Sequence, residues 1–323
     1  MAFDSILGHD RVRGLVRGAL RAGRLPPALL LCGPDGVGKR TLALAVARAL
    51  LCAEGEGEGC GRCAPCHRVE RGLHPDVIVV QPETAAIRIE QVRTLVREIA
   101  SGPFEGRARA FVIDDAHTMT EQAQNALLKS LEEPAPTSHV LLVSGAPQAL
   151  LPTIRSRCQV LRFGPLPAAV LERHLQDAHG LSADEARLRA SLSGGSLGAA
   201  LAFEADGYRT VRDLLIAGMS RMPTLGALER MDFAQKLTDA VDPMLVMTAL
   251  RSILRDVAAL RAGSLPESVL NRDAAEALAG LARGPLGARA VGLGDVTEDA
   301  RTGLRQNANR LLSMDVLVDA VAG

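Results

Sequence analysis

Residues 28–51 combine an apolar strand, a glycine-rich loop and a helical stretch. The run Ala28–Cys32 is apolar, Gly33–Lys39 has the pattern Gly-x4-Gly-Lys, and Lys39–Leu51 is predicted as a helix. A strand, a glycine loop and a helix N-terminus in this order surround phosphate oxygens with backbone N–H groups. The segment therefore predicts the phosphate-binding loop of a P-loop ATPase.

Further apolar runs alternate with amphipathic stretches over the first half of the chain. Strands rich in Val, Ile and Leu that alternate with helices predict an α/β domain, a doubly wound parallel sheet covered on both faces. After residue 165 only helical periodicity with Gly and Pro breaks continues. We predict a P-loop domain over residues 1–166, a small helical domain over 167–206 and an all-helical domain over 207–323. The predicted strands are 28–32, 76–80, 110–114, 139–144 and 159–163.

The residue after the phosphate-loop lysine does not suit metal binding. Lys39 would meet the terminal phosphates, but Arg40 stands where a P-loop ATPase has Ser or Thr. A guanidinium has no lone pair for a metal and adds positive charge where Mg²⁺ would sit. The loop is predicted either as a structural turn or as a site that holds ATP or ADP without hydrolysing it. Its predicted residues are Gly33, Gly36, Gly38 and Lys39.

An acidic pair ends the apolar run that begins at Phe111. Asp114 and Asp115 resemble a Walker B segment, in which the first acid holds metal-bound water and the second polarises the attacking water. Asp115 is one methylene shorter than the usual Glu, and a general base must reach its proton, so weak catalysis is expected. Two exposed acids that close a strand are the alternative. Ser144 ends a later predicted strand, at the place of a sensor-1 residue.

Four of the six cysteines follow the pattern Cys-x7-Cys-x2-Cys-x2-Cys within residues 52–66. Four thiolates can complete a tetrahedral zinc shell, and the glycines beside Cys60 allow a tight turn around a metal. We predict a closed, structural zinc site, with a redox Cys-x-x-Cys pair or an iron–sulfur cluster as alternatives. Cys32 and Cys158 are predicted as buried packing residues. The predicted ligands are Cys52, Cys60, Cys63 and Cys66.

Composition excludes several classes of function. Lys plus Arg and Asp plus Glu both number 37, so no net charge directs the chain to nucleic acid or to a membrane. Trp is absent and aromatic residues make up 2% of the chain, which disfavours a base-stacking surface. The N-terminal residues lack a signal-peptide pattern, and the apolar runs are too short to span a bilayer. We expect a cytoplasmic protein whose cysteines are reduced or metal-bound.

Near the end of the chain, five apolar residues recur at helical spacing. They are predicted to share one helix face, which is either part of the core or a subunit interface. These residues are Leu304, Leu311, Met314, Val318 and Val321.

Two further motifs make a family resemblance specific. Residues 125–134 are Asn-Ala-Leu-Leu-Lys-Ser-Leu-Glu-Glu-Pro, and residues 156–158 are Ser-Arg-Cys. With these motifs the chain resembles the bacterial DNA polymerase III clamp-loader subunits of the AAA+ ATPase family, closest to delta-prime. The resemblance covers the N-terminal half, continues through residues 192–198 and fades in the last third. It implies an AAA+ domain with a zinc insertion, a helical lid domain and a collar domain that joins five subunits.

The resemblance also implies a division of roles among the arginines. Arg157 corresponds to an arginine finger that reaches a neighbouring subunit's ATP, where its permanent charge can stabilise the transferring phosphoryl group. Gly198 stands where motor subunits have a sensor-2 arginine, so the cis arginine is missing. With Arg40 in place of the metal ligand, the chain is not expected to be an ATPase on its own. An ordinary surface arginine in an ion pair is the alternative for Arg157.

The implied function is that of a non-motor, stator-like subunit in a pentameric ring. Its partners would be a gamma/tau-type motor subunit and a delta subunit, with the sliding clamp and primed DNA as transient partners. The ring would load the clamp onto DNA. A catalytically competent gamma/tau-like ATPase and a zinc-containing nucleic-acid-binding protein are the alternative functions.

Overall fold

The computed structural model describes residues 3–55 and 57–323, apart from the side chains of residues 4, 240 and 305. The chain forms two compact units. One unit comprises Met1–Leu171 and Gly194–Ala199, and the other comprises Glu172–Ser193 and Ala200–Gly323. Each unit has its own hydrophobic core.

Up to residue 162, the described part of the first unit contains five strands and six α-helices. The strands are β1 (Ala28–Cys32), β2 (Val77–Val80), β3 (Arg109–Ile113), β4 (Ser138–Ser144) and β5 (Gln159–Arg162). The helices are α1 (Asp10–Arg21), α2 (Lys39–Leu51), α3 (Ala64–Glu70), α4 (Ile89–Ile99), α5 (Glu121–Glu132) and α6 (Pro152–Arg155). Every strand begins and ends within one residue of its prediction.

The remaining helices follow from residue 168 onward. They are α7 (Ala168–His179), α8 (Ala183–Leu192), α9 (Leu197–Ala202), α10 (Ala205–Arg221), α11 (Ala227–Ala240), α12 (Pro243–Arg261), α13 (Ala275–Arg283), α14 (Pro285–Arg305) and α15 (Arg310–Ala322). None of the helices described is long and apolar enough to cross a bilayer.

The five strands form one parallel sheet in the order β2-β3-β4-β1-β5. All five residues of β1 are buried, because helices cover both faces of the sheet. Leu29 and Leu31 pack in the core that α1 and α2 share. Leu30 and Cys32 point to the opposite face and pack with residues of α4 and α5. The predicted parallel α/β sheet is confirmed.

The strand order places three predicted site segments at one edge of the sheet. Carboxyl ends of parallel strands meet at the same edge, and ligand loops of α/β sheets lie there. β4 lies between β1 and β3, so Ser144 at the end of β4 lies between Gly33, which follows β1, and Asp114, which follows β3. The phosphate loop, the acidic pair and Ser144 therefore converge.

The second unit is helical, as predicted for the end of the chain. Its core joins α10, α12, α13, α14 and α15. Met314, Val318 and Val321 on α15 are buried in this core, so this part of the apolar stripe is core. The prediction of one shared face is wrong for Leu304, which belongs to α14, because α14 ends at Arg305 and a new helix begins at Arg310.

Candidate functional site: an altered phosphate loop and a four-thiol cluster

The phosphate loop adopts backbone conformations that favour glycine. Gly33 has φ of 147°, and a Cβ there would lie 2.2 Å from the carbonyl oxygen of Phe163. Gly36 has φ of 70°, and its Cβ would lie 2.3 Å from Ser196 Oγ. Only glycine fits such close backbone approaches without strain. Gly38, with φ of 103°, is the N-cap residue of α2.

The phosphate-loop lysine is satisfied by the loop itself. Lys39 is buried, and its Nζ donates to the carbonyl oxygens of Gly33 and Pro34, both at 2.6 Å. A third contact, at 3.1 Å, joins Nζ to Asp35 Oδ1. The ammonium has three donors, and three acceptors of the chain lie within reach. The ammonium group of Lys39 is therefore hydrogen-bonded within the phosphate loop.

Arg40 pairs with the first acid of the Walker B-like segment. Arg40 Nη1 lies 3.2 Å from Asp114 Oδ2, and half of the Arg40 side chain is exposed. Burial raises the pKa of Asp114, and the charge of Arg40 partly offsets this rise. The guanidinium of Arg40 therefore lies beside the carboxylate that would face a metal. Asp115 has φ of 48° and starts a turn after the strand, and its N–H donates to Asp114 Oδ1 at 3.2 Å.

Residues 194–199 close over the phosphate loop within the same unit. Gly198 N donates to Gly36 O at 3.0 Å. A Cβ on Gly198 would lie 3.1 Å from Gly36 Cα, so a side chain at this position would make a tight contact with the loop. Ser144 is fully buried, and its carbonyl oxygen accepts from Gly33 N at 3.2 Å. Its Oγ has no partner among the residues described.

The four predicted thiols come together at the other end of α2. Their Sγ atoms all lie within 4.8 Å of one another, and Cys60 Sγ is 4.0 Å from Cys66 Sγ. A tetrahedral Zn–S shell at 2.3 Å requires sulfur atoms about 3.8 Å apart, so the cluster fits a metal of this kind. Cys60 N donates to Cys52 Sγ and Cys63 N donates to Cys60 Sγ, both at 3.3 Å. These cysteines could hold a metal ion.

The pKa values of Cys52 and Cys66 are shifted in opposite directions. Burial raises the pKa of Cys66 to about 12. Burial acts in the same direction on Cys52, but hydrogen bonds from the backbone of Cys60 and Glu54 outweigh it and lower the pKa of Cys52. The other two cysteines, Cys32 and Cys158, are buried away from the cluster, as predicted.

Arg157 lies outside the phosphate loop, on the connection between β4 and β5. Its Nε donates to Glu132 Oε1 at 2.7 Å, and its Nη2 donates to the same oxygen. Its Nη1 donates to Thr153 O at 3.0 Å. The side chain of Arg157 is 33% exposed and that of Glu132 is 46% exposed. The structure therefore pairs Arg157 with an acid on α5, and an ion pair is what the alternative of an ordinary surface arginine expects.

A buried glutamine links α5 to the same connection. Gln124 Nε2 donates to the carbonyl oxygens of Met119 and Ala149, at 3.1 and 3.3 Å. Its Oε1 accepts from Leu151 N at 2.7 Å. Gln124 was not identified from the sequence. Its position on the apolar face of a helix is a usable signal, because a buried amide needs hydrogen-bond partners.

The region with this site has close relatives among replication proteins. Residues 8–167 match the family model described as DNA polymerase III, delta subunit. The chain is 39% identical to the DNA polymerase III subunit delta' of Bacillus subtilis over 185 residues, 57% of this chain and 56% of that protein. It is 40% identical to the delta' subunit of Pseudomonas aeruginosa over 203 residues, 60% of this chain and 61% of that protein. The chain thus spans less than two thirds of these relatives.

The match to a tau subunit is weaker. The DNA polymerase III subunit tau of Escherichia coli is 32% identical over 175 residues, 54% of this chain and 27% of that protein. The delta' proteins are therefore more similar to this chain than the tau protein is.

The sheet order, the glycine loop after β1 and the acid after β3 define a parallel α/β domain of the P-loop type with an altered centre. Residues 8–167 resemble the DNA polymerase III delta subunit family. The predicted resemblance to clamp-loader subunits close to delta-prime is confirmed.

Proposed function

We propose that this protein is a delta-prime-like, stator-type subunit of a replicative clamp loader that does not hydrolyse ATP by itself. It would join a gamma/tau-type motor subunit and a delta subunit in a pentameric ring in the cytoplasm. The ring would load the sliding clamp onto primed DNA. The identity to delta' proteins over most of the first unit supports this assignment.

The contact between Arg40 and Asp114 is the observation that carries the proposal. Phosphoryl transfer by P-loop enzymes needs Mg²⁺ held by a loop hydroxyl and an acidic side chain. Here a guanidinium takes the hydroxyl's place and lies 3.2 Å from the acid. Positive charge at this point disfavours a second cation, because two like charges close together repel. The chain therefore lacks the means to bind catalytic Mg²⁺.

The phosphate loop is proposed to serve as a structural turn. Lys39 is bonded to loop carbonyls and to Asp35, so the ammonium that would meet phosphate contacts the protein itself. Binding of ATP or ADP would have to break these contacts. Gly33, Gly36 and Gly38 would keep the shape of this turn. Asp115 after β3 and Ser144 at the end of β4 would lie at the same edge of the sheet without acting on nucleotide.

The remaining site assignments follow from the same proposal. Arg157 would act in trans as the arginine finger of a neighbouring motor subunit, since permanent charge and a planar fork suit a phosphoryl group. Cys52, Cys60, Cys63 and Cys66 would hold structural zinc. When bound, zinc would cross-link the cysteine insertion, and it would take no part in ATP hydrolysis.

Two assays on purified proteins test the function. The chain alone should show no ATP hydrolysis above background with Mg²⁺ present. Mixed with gamma/tau-type and delta subunits, it should be required for clamp loading onto primed DNA. A turnover by the chain alone near about 10 per second, a typical enzyme value, would instead identify a competent gamma/tau-like ATPase. Clamp loading that proceeds equally without the chain would reject the stator role.

A further inference from the structure

Three N–H groups of the Arg157 guanidinium donate hydrogen bonds within the described part of the protein, and two do not. An arginine carries five N–H groups in a fixed plane. Within residues 3–55 and 57–323, Glu132 Oε1 accepts from Nε and Nη2, and Thr153 O accepts from Nη1. One N–H of Nη1 and one N–H of Nη2 remain. Two N–H groups of an arginine suffice to bind a phosphoryl group through two hydrogen bonds.

The acceptors that hold this plane lie on packed helices. Glu132 is the last residue of α5, and Thr153 lies in α6, four residues before the arginine. Gln124 on α5 bonds to Ala149 and Leu151 immediately before α6, so the two helices are tied together from inside. The orientation of Arg157 is thus set by helices that the core supports.

We propose that Glu132 is a positioning residue. It holds the guanidinium plane of Arg157 so that the two remaining N–H groups can contact a neighbouring subunit's ATP. This inference rests on the proposed function of Arg157. A long arginine side chain that must be ordered in each catalytic cycle loses rotamer freedom, and a preformed ion pair removes much of that loss beforehand. Because the pair is partly exposed, it adds little to stability. Its effect should therefore be on catalysis in trans.

Nε and Nη2 of Arg157 both donate to Glu132 Oε1, so two substitutions of Glu132 can be compared. Glu132→Ala removes the acceptor, whereas Glu132→Gln keeps a carbonyl oxygen that can accept from both nitrogens. Glu133→Ala is the matched control, because Glu133 is an exposed acid next in the chain. The full complex with motor and delta subunits is assayed for clamp- and DNA-stimulated ATPase. The kcat and the KM for ATP are measured separately.

Misplacement of a catalytic group by about 1 Å can reduce a rate about 10²-fold. We therefore expect Glu132→Ala to abolish most of the part of kcat that Arg157→Ala removes, without a change in KM. Glu132→Gln should retain a larger part, and Glu133→Ala should match wild type. In an Arg157→Ala background, Glu132→Ala should add nothing.

Four outcomes would overturn the inference. A higher kcat in Glu132→Ala would show that Glu132 competes for the finger rather than positions it. An equal loss with and without Arg157 would show a structural effect of α5. If Arg157→Ala lowers kcat and neither Glu132 variant does, the positioning role fails while the proposed function stands. If Arg157→Ala itself has no effect, both fail. Should Glu132→Ala not assemble, Glu132→Gln decides.

Discussion

Arg40 and Asp114 form an ion pair across the carboxyl edge of the sheet, with Arg40 Nη1 3.2 Å from Asp114 Oδ2. The two residues come from the start of α2 and the end of β3, so the pair bridges the phosphate loop and the acidic segment. In a hydrolysing relative of this fold type, Mg²⁺ would make that bridge. The Arg40–Asp114 pair therefore connects the phosphate loop to the acidic segment through protein side chains.

We expect Arg40→Thr to restore sensitivity to magnesium without restoring hydrolysis. The variant leaves Asp114 without its cationic partner and adds a hydroxyl that can bind a metal. Because Arg40 is half exposed, the free energy of unfolding at pH 7 should fall by less than about 1 kcal/mol. Thermal melts with and without Mg²⁺ and ATP measure the effect. Arg93→Thr, an exposed arginine on α4, is the control, and equal responses of all three proteins would contradict the prediction.

A second prediction concerns Asp76, a fully buried carboxylate that anchors the loop before β3. It accepts from the backbone N–H groups of Phe104 at 2.6 Å, Glu105 at 3.0 Å and Gly106 at 2.8 Å. Burial alone would raise the pKa of Asp76, but these three donors outweigh it and lower the pKa below the usual 3.8. Asp76→Asn should destabilise the protein by about 2–3 kcal/mol at pH 7, since it removes a charged acceptor.

The pH dependence of this effect has a definite sign. A lowered folded pKa means that the unfolded chain binds the proton first, so the stabilisation is present above pH 3.8 and is lost as pH falls through the folded pKa. Urea unfolding of wild type and Asp76→Asn should therefore converge below pH 3.8. Glu90→Gln, an exposed acid on α4, is the control. A difference that stays constant down to pH 3 would contradict the proposed charge effect.

A third prediction concerns the thiol cluster. Because four Sγ atoms lie within 4.8 Å of one another, purified protein should contain one zinc ion per chain. Cys60→Ser should lose zinc and lower the melting temperature, since metal binding in such sites is coupled to folding. Cys158→Ala, at a buried cysteine outside the cluster, should keep one zinc. Elemental analysis that finds iron, or no metal after anaerobic preparation with zinc, would reject the assignment.

The sequence predicts the sheet well because its strands are continuous apolar runs bounded by glycine, proline or charge. Ala28–Cys32 was predicted with its observed bounds, and the strand before Asp114 was predicted to within one residue. The Cys-x2-Cys spacing likewise predicts the thiol cluster. These features depend on local pattern, which one sequence carries in full.

The pairings within the site depend on contacts between residues far apart in sequence. The sequence shows that Arg40 lacks a hydroxyl, but its partner Asp114 lies 74 positions away. The contact of Gly198 with Gly36 and that of Arg157 with Glu132 are also long-range. Sequence pattern specifies the residue at each such position but not the partner, because partner choice is set by helix packing and side-chain orientation.

The last prediction concerns Arg157 in trans. Arg157→Ala should leave folding and ring assembly intact, because the pair with Glu132 is partly exposed and contributes little to stability. Arginine fingers accelerate phosphoryl transfer by about 10³–10⁵-fold, but other motor interfaces would remain, so total ATPase of the complex should fall in part and clamp loading more strongly. Arg157→Lys should rescue poorly, because a point charge cannot reproduce the planar fork. If the alanine variant loads clamps at the wild-type rate, Arg157 is an ordinary surface arginine.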